Sequence, residues 1–536
     1  MSIDLYSIYG SLGFFNCKMR TPRKNPPQPA HTKPMKKRFA GSPAEQASAE
    51  EAWAGEPLSP ESLAQAFGDC EDFILRSVRL GGVSGSLSAA LCCLDGMVSG
   101  GAVSESVLRP LTDPVRFGDA ESPEEAARRL CEGLAYFFAA QKRTTLEETA
   151  EDLLCGCCAV VFDGVAVTFE TKQPQSRGVE KSELEKSVKG AKDAFTEIYR
   201  QNTALLRQRV RTPELKLSTV TLGRRTRTKA AVVYLRGITN GTVVEELKRR
   251  LTEIDIDGAL TTASLEEYLL QRHSPFPQLT VTEKPDRFAL ELLEGRAGLL
   301  VDGLPFGFLM QGTLAQQLKV TEDRASHPLV ASMLTLVRYA ALFLSVLLPA
   351  LYVTITVYHQ EMLPDKLLLS VIRSKQDVPF STAAETLGML LAFELLQEAG
   401  LRLPESVGET VSIIGALIVG QSAVEARVIS PIVVIVVAVA GITGYTTPNQ
   451  DLAAALRLCR FALVLLGLGL GIYGLVFGLI LLTYYLCTLE SFGTAYLSPF
   501  CDGSPGELLR ALLRLPLKRI RERPAALHPE DVRNQK

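Results

Sequence analysis

Leu329 to Tyr358 reads LVASMLTLVRYAALFLSVLLPALYVTITVY, with Arg338 as its single charge. About 20 consecutive apolar residues in a helix cross roughly 30 Å of hydrocarbon, so this run is long enough to span a bilayer. Arg338 lies near one end, where its long side chain can reach the headgroups. Pro349 lacks a backbone N–H and is expected to kink the helix. The chain differs in kind on the two sides of this run, and that difference sets its organisation.

Downstream, Val428 to Tyr445 is a second apolar run of spanning length, and Phe461 to Leu489 is a third that carries no charge. Thr410 to Val424 is apolar but short; it reads as a fourth span extended at both ends or as a re-entrant half-helix. Pro379 to Ala399 is apolar but holds Glu385, Glu394 and Glu398, which suits an interfacial helix or one facing a polar cavity. The tail beyond carries Arg510, Arg514, Lys518, Arg519, Arg521 and Arg523, and excess basic charge marks the cytoplasmic side.

Upstream, the chain is charged and mixed like a soluble protein. The formal net charge of -2 over 536 residues averages these two halves and points to no single class of partner. Met1 to Phe15 lacks a basic region followed by a clean apolar core, so no secretory signal is expected and the soluble half is placed in the cytoplasm. Eight of the 11 cysteines fall in that half with no spacing typical of a secreted disulfide framework. Both ends on one side require an even number of crossings, and four is the simplest count. The fold class expected is an α+β membrane protein: a cytoplasmic α/β N-terminal region of two subdomains, then an α-helical transmembrane bundle of about four spans. The divisions are a disordered basic arm at 1–50, subdomains at 51–170 and 171–325, the transmembrane domain at 326–500 and a basic cytoplasmic tail at 501–536. The arm alternates prolines with Arg20, Arg23, Lys24, Lys33, Lys36, Lys37 and Arg38, and reads as a solvated tail or a polybasic contact with anionic lipid.

Within the soluble half, residues 58–155 read as mainly helical, over Glu61 to Leu80, Ser86 to Met97, Pro123 to Phe138 and Thr145 to Leu154. Asp163-Gly164 and Asp302-Gly303 each separate two apolar runs, the signature of a hairpin whose turn needs positive φ. Glu180 to Arg211, Val243 to Ile254 and Leu265 to Arg272 read as helices, and Lys229 to Gly237 as a buried strand. The two hairpins hint at an internal duplication.

From Pro275 onward the chain resembles the GerA family of spore germinant receptor A subunits. The likeness rests on collinear segments: Pro275 to Gln278, Thr282 to Asp286, Leu293 to Arg296, Val301 to Phe306, Pro349 to Val353, His359 to Glu361, Val378 to Phe380, Phe393 to Pro404, Ser412 to Ala426 and Ser491 to Pro499. Arg177 to Glu197 and Asn202 to Arg209 are similar more loosely. Arg427 stands where a glycine is usual, and Lys181-Ser182 where Glu-Pro is expected. The same segments fit the related spoVA-operon member of the family. The resemblance implies a subunit of a nutrient-responsive complex in the spore inner membrane. Such subunits would form a homo-oligomer acting as a ligand-gated cation channel, beside a transporter-like B subunit and a lipoprotein C subunit.

The carboxylates bear on a channel directly. An ionised carboxylate facing lipid costs roughly 2.5 kcal/mol or more, so Glu361, Glu385, Glu394 and Glu425 must face protein, water or headgroups. In a symmetric oligomer each becomes a ring that concentrates cations. Gly408 to Pro431 reads as an interrupted helix, which survives at membrane depth only inside protein or along a wet cavity. Gln421, Ser422 and Glu425 are therefore candidate pore or gating residues, with Glu385, Glu394 and Glu361. The plainer reading has Glu361 and Glu394 solvated and the interruption a packed turn. Gly467, Gly471, Gly474 and Gly478 fall on one helical face and read as packing residues. His359-Gln360-Glu361 lacks the second histidine of a zinc-protease motif, and Cys155-Gly156-Cys157-Cys158 lacks a second ligand pair, so no catalytic residue, metal or cofactor is expected. No folded basic face points to nucleic acid. A non-conducting scaffold for the other subunits and a secondary transporter remain as alternatives, the latter supported only by one interrupted helix.

Overall fold

The computed structural model describes residues 56–80, 88–113, 122–135, 137, 139–173, 185, 189–258, 261–270, 274–402 and 420–535. The basic arm, and most of the expected span Thr410 to Val424, lie outside the described residues.

The two Asp-Gly turns organise the N-terminal half. Gly164 and Gly303 both take positive φ, in the left-handed region that a side chain would strain. Each closes an antiparallel hairpin. In the first unit the strands are β1 (Phe73–Arg79), β2 (Ser88–Leu94), β3 (Ala140–Arg143), β4 (Cys158–Phe162) and β5 (Val165–Phe169), in the order β1-β2-β4-β5-β3. In the second they are β6 (Leu215–Leu222), β7 (Thr228–Leu235), β8 (Thr280–Thr282), β9 (Gly298–Val301) and β10 (Gly307–Leu309), in the order β6-β7-β9-β10-β8. Every strand pairing within the two sheets is antiparallel and the two orders are the same pattern, so the units repeat one topology with the Asp-Gly hairpin at the same place.

Helices cover both faces of each sheet. In the first unit α1 (Pro60–Ala66) and α2 (Leu146–Leu154) pack on one face, and helical residues within 100–112 and 123–134 on the other. In the second, α3 (Tyr199–Arg209) and α6 (Pro285–Leu293) pack on one face, and α4 (Gly241–Glu253) and α5 (Thr262–Leu269) on the other. Because both faces are covered, consecutive strand residues enter opposite cores: Cys158, Val160 and Phe162 one, Ala159 and Val161 the other. That explains the misreading of 58–155 as mainly helical. Ser88–Leu94 (SAALCCL) is apolar on both faces and rich in Ala and Leu, so neither alternation nor propensity marks it as a strand. Glu180 to Arg211 is helical only from Tyr199 among its described residues.

A buried ion pair joins the two units. Arg207 on α3 donates to both carboxylate oxygens of Asp72, at 2.7 and 2.8 Å, with the guanidinium fully enclosed. The fork geometry satisfies both partners, which a single buried charge could not achieve.

The second half begins at α7 (Pro328–Tyr358), followed by α8 (Asp365–Lys375), α9 (Thr382–Arg402), α10 (Pro431–Tyr445) and α11 (Gln450–Thr488). Among the described residues α7 is long and apolar enough to cross a membrane, as is the helical run α11 when taken as one element; α10 is apolar but shorter. Arg338 makes a two-pronged ion pair with Asp323, which precedes α7, at 2.6 and 2.9 Å.

The expected single span Phe461 to Leu489 is corrected. A straight helix would hold residues 463 and 478 about 22 Å apart. Yet a Cβ built on Gly478 lies 2.5 Å from the Leu463 side chain, and one on Gly474 would strike the Leu466 carbonyl. Gly471, with positive φ inside the helical run, supplies the backbone reversal. The element α11 is therefore a helical hairpin with arms on either side of Gly471. Its tip lies beside the end of α7, where the Tyr358 hydroxyl donates to the Leu468 carbonyl at 2.5 Å.

The chain after α11 returns to the second unit. Leu314 N–H donates to the Tyr496 carbonyl, Gln311 to the Thr494 hydroxyl, and Arg250 stacks over the Phe492 ring. Arg523 donates to the Leu293 carbonyl, and Glu530 accepts from the Gly241 N–H at the start of α4.

Candidate functional site

The carboxylates singled out in the sequence separate into locked and open groups. Glu385, in the first turn of α9, is buried. Its Oε2 accepts the Ser430 N–H at 2.7 Å, which caps the start of α10, and Lys375 Nζ at the end of α8 stands 3.5 Å from Oε1. The N-terminal end of a helix favours a negative charge, so the carboxylate is held from two sides. The hydroxyls of Tyr352, Thr386 and Ser430 are buried without a well-formed hydrogen bond. Beside this group is a cavity of about 240 Å³ walled by Thr356, Gln360, Lys375 and Thr382 on its polar side and by Leu368 and Ile372 on its apolar side.

Glu394, further along α9, bonds Arg457 at 2.5 Å and faces Arg460 at 3.6 Å, both on the first arm of α11. Arg457 also donates to Gln397, and Arg460 reaches the Ala440 carbonyl of α10. This knot ties α9, α10 and α11 together. The sequence reading missed both arginines because it began the span at Phe461. The signal was present: two arginines one helical turn apart, within Leu456-Arg457-Leu458-Cys459-Arg460. Lys375 was missed for the same reason, as a residue just outside an apolar run.

Glu361, Gln421, Ser422 and Glu425 are exposed. Glu361 lies 3.6 Å from His359 in the turn after α7. The helical segment ending at Glu425 stops in a defined way. Arg427 N–H donates to the Val424 carbonyl and Val428 N–H to that of Ala423, and Arg427 itself takes φ +55°. This pair of bonds around a left-handed residue is a glycine-type helix stop, which gives a physical reason for the glycine usual at that position. Ser430 and Pro431 then open α10, so the backbone is interrupted over 426–430. Gln421 Nε2 donates to Glu425 Oε1 at 3.2 Å, and Arg427 pairs with Asp377 instead of Glu425. The structure thus brings Glu385 to the interruption through Ser430, and does not bring Glu425 to Glu385 or Glu394.

The four glycines are buried but lie on two arms of a hairpin instead of one helical face. Gly467 faces Thr354 of α7, Gly471 makes the turn, and Gly474 and Gly478 let the returning arm approach Leu466 and Leu463. Among the described residues no three His, Cys, Asp or Glu side chains converge as metal ligands.

Residues 61–526 match the model of the Bacillus/Clostridium GerA spore germination protein family. The chain is 34% identical over 481 residues to the uncharacterized membrane protein YfkQ of Bacillus subtilis, covering 87% of this chain and 91% of that one. It is 32% identical over 467 residues to spore germination protein KA of Bacillus subtilis, covering 87% and 85%. The crystal structure of the N-terminal domain of the A subunit of the Bacillus megaterium spore germinant receptor GerK3 is matched at 29% identity and a TM-score of 0.38, over 47% of this chain and 96% of that one. With the family model covering most of its length, this chain belongs to the GerA family of spore germination proteins.

Proposed function

We propose that the protein is a multi-pass subunit of a germinant receptor in the spore inner membrane, and that copies of it assemble around a nutrient-gated cation path. A transporter-like B subunit and a lipoprotein C subunit would be its partners, as the family resemblance implies. The observation that carries this reading is the contrast among the carboxylates. Glu385 and Glu394 are neutralised inside the subunit, while Glu425 stands exposed with Gln421 and Ser422 at a helix interruption, with no cationic partner among the described residues. An exposed carboxylate on an apolar bundle needs water or a symmetry mate, and a ring of them attracts cations.

The helical hairpin changes the crossing count. If α7, α9, α10 and the two arms of α11 each cross, the described helices alone account for five crossings, more than the four expected.

A scaffold that conducts nothing is the second reading. It is supported by the same internal ion pairs, which remove Glu385 and Glu394 from any path. Potassium release from spores carrying Glu425→Gln, after germinant addition, separates the two. The channel reading expects slowed release or a leak without germinant at normal receptor abundance; unchanged release at normal abundance favours the scaffold.

A further inference from the structure

We infer that Cys487 and Cys501 form an oxidisable dithiol at the joint between the membrane helices and the second α/β unit. Their sulfurs lie 3.7 Å apart, in van der Waals contact. A disulfide needs about 2.05 Å, so the pair must close by under about 2 Å, within reach of side-chain rotation and small backbone shifts. Cys487 sits one residue before the end of the hairpin's returning arm and is half-buried, and Cys501 is exposed in the loop that follows.

Three buried thiols make the contrast. Cys92, Cys93 and Cys158 are buried in the first unit, and burial pushes the Cys92 thiol up to about 12. A thiol reacts as thiolate and needs access; the hydrogen bond with Cys158 lowers the Cys93 thiol, but burial closes all three to solvent, while the Cys487–Cys501 pair is open to a small oxidant.

The segment between the two cysteines gives the pair a consequence. It holds Phe492 under Arg250, Thr494 on Gln311 and Tyr496 on Leu314, all contacts with the second unit. Phe500, beside Cys501, packs edge-on against Tyr339 of α7, with ring centres 5.9 Å apart. A bond between the sulfurs would close this docking segment into a loop fixed at both ends, and so stiffen the joint between the α/β unit and the helices.

The chemistry balances with a low-molecular-weight disulfide as oxidant. The Cys501 thiolate attacks one sulfur of the disulfide and expels a thiolate, leaving a mixed disulfide. The Cys487 thiolate then attacks the Cys501 sulfur and expels the second small thiolate. Two electrons pass from the cysteine pair to the small disulfide, and the two cysteine protons end on the two released thiols. This chemistry is independent of whether the subunit conducts ions.

The test uses the full-length protein in detergent micelles, incubated with oxidised glutathione and mapped by mass spectrometry after thiol blocking. The expected product is an intrachain Cys487–Cys501 disulfide, with Cys92, Cys93 and Cys158 still reduced on denaturation. Amide exchange in 489–500 should slow on oxidation and recover with dithiothreitol. The Cys487→Ser variant should instead accumulate glutathione on Cys501, because no second thiol resolves it. Two separate glutathione adducts in the wild type, both thiols left unmodified, a bond between two copies, or unchanged exchange in 489–500 once bonded would each overturn the inference.

Discussion

At the scale of single residues, Arg427 occupies a backbone conformation made for glycine. A left-handed residue with a side chain is disfavoured by roughly 1–2 kcal/mol, and glycine's extra unfolded freedom returns about 0.5–1 kcal/mol of that. The pair with Asp377 is exposed on both sides and contributes little. The difference between those two costs is the expected gain: Arg427→Gly should stabilise the protein by about 0.5 kcal/mol. Arg427→Val should destabilise it, both read by thermal unfolding in micelles. Equal loss in both variants would mean the Asp377 contact outweighs the strain. Glu394 makes the opposite case. Arg460 is almost enclosed, so removing the carboxylate leaves a buried cation unpaired. Glu394→Ala should lower stability by roughly 2 kcal/mol, below the range for fully buried pairs because the carboxylate is partly exposed. Glu394→Ala with Arg457→Leu and Arg460→Leu should recover much of it. The sequence showed these carboxylates plainly, since a charge in an apolar run is conspicuous. It did not show which were neutralised, because their partners Lys375 and Arg457 lie beyond the apolar runs and are met only through packing.

At the scale of elements, Glu266 of α5 feels the charge of Asp451 at the start of α11. Burial, and then the nearby Asp451, push the Glu266 carboxyl up to about 7. The folded state then holds a proton more tightly than the unfolded chain between the ordinary carboxylate range and about pH 7. Stability contributed by the protonated form is present below that range and is lost as pH rises through about 7. Glu266→Gln should unfold at a higher temperature than wild type at pH 8, with the two converging near pH 4; equal midpoints at both would show the carboxyl to be solvated. Elements also show where the sequence was opaque. Asp163-Gly164 and Asp302-Gly303 announced their hairpins because a local turn is encoded locally. Ser88–Leu94 did not announce a strand, since its identity depends on layers packed on both faces. The reversal at Gly471 was hidden because a glycine-rich apolar run reads the same whether it continues straight or folds back.

At the scale of the whole molecule, two α/β units with one strand order stand before a helical half, and the C-terminal segment returns to the second unit. The division between a charged, mixed N-terminal half and an apolar helical half was legible from composition, and the family from collinear motifs. The repeat was only hinted at, since it lies in topology more than in residues. Assembled copies that conduct cations past Glu425 are the functional consequence proposed for this architecture. Potassium flux is the decisive measurement, in proteoliposomes holding the full-length protein with its partner subunits, wild type against Glu425→Gln, with germinant added. Germinant-dependent flux is expected in the wild type, with a several-fold change in the variant at equal incorporation. An assembled complex that passes no potassium with germinant present would contradict the channel.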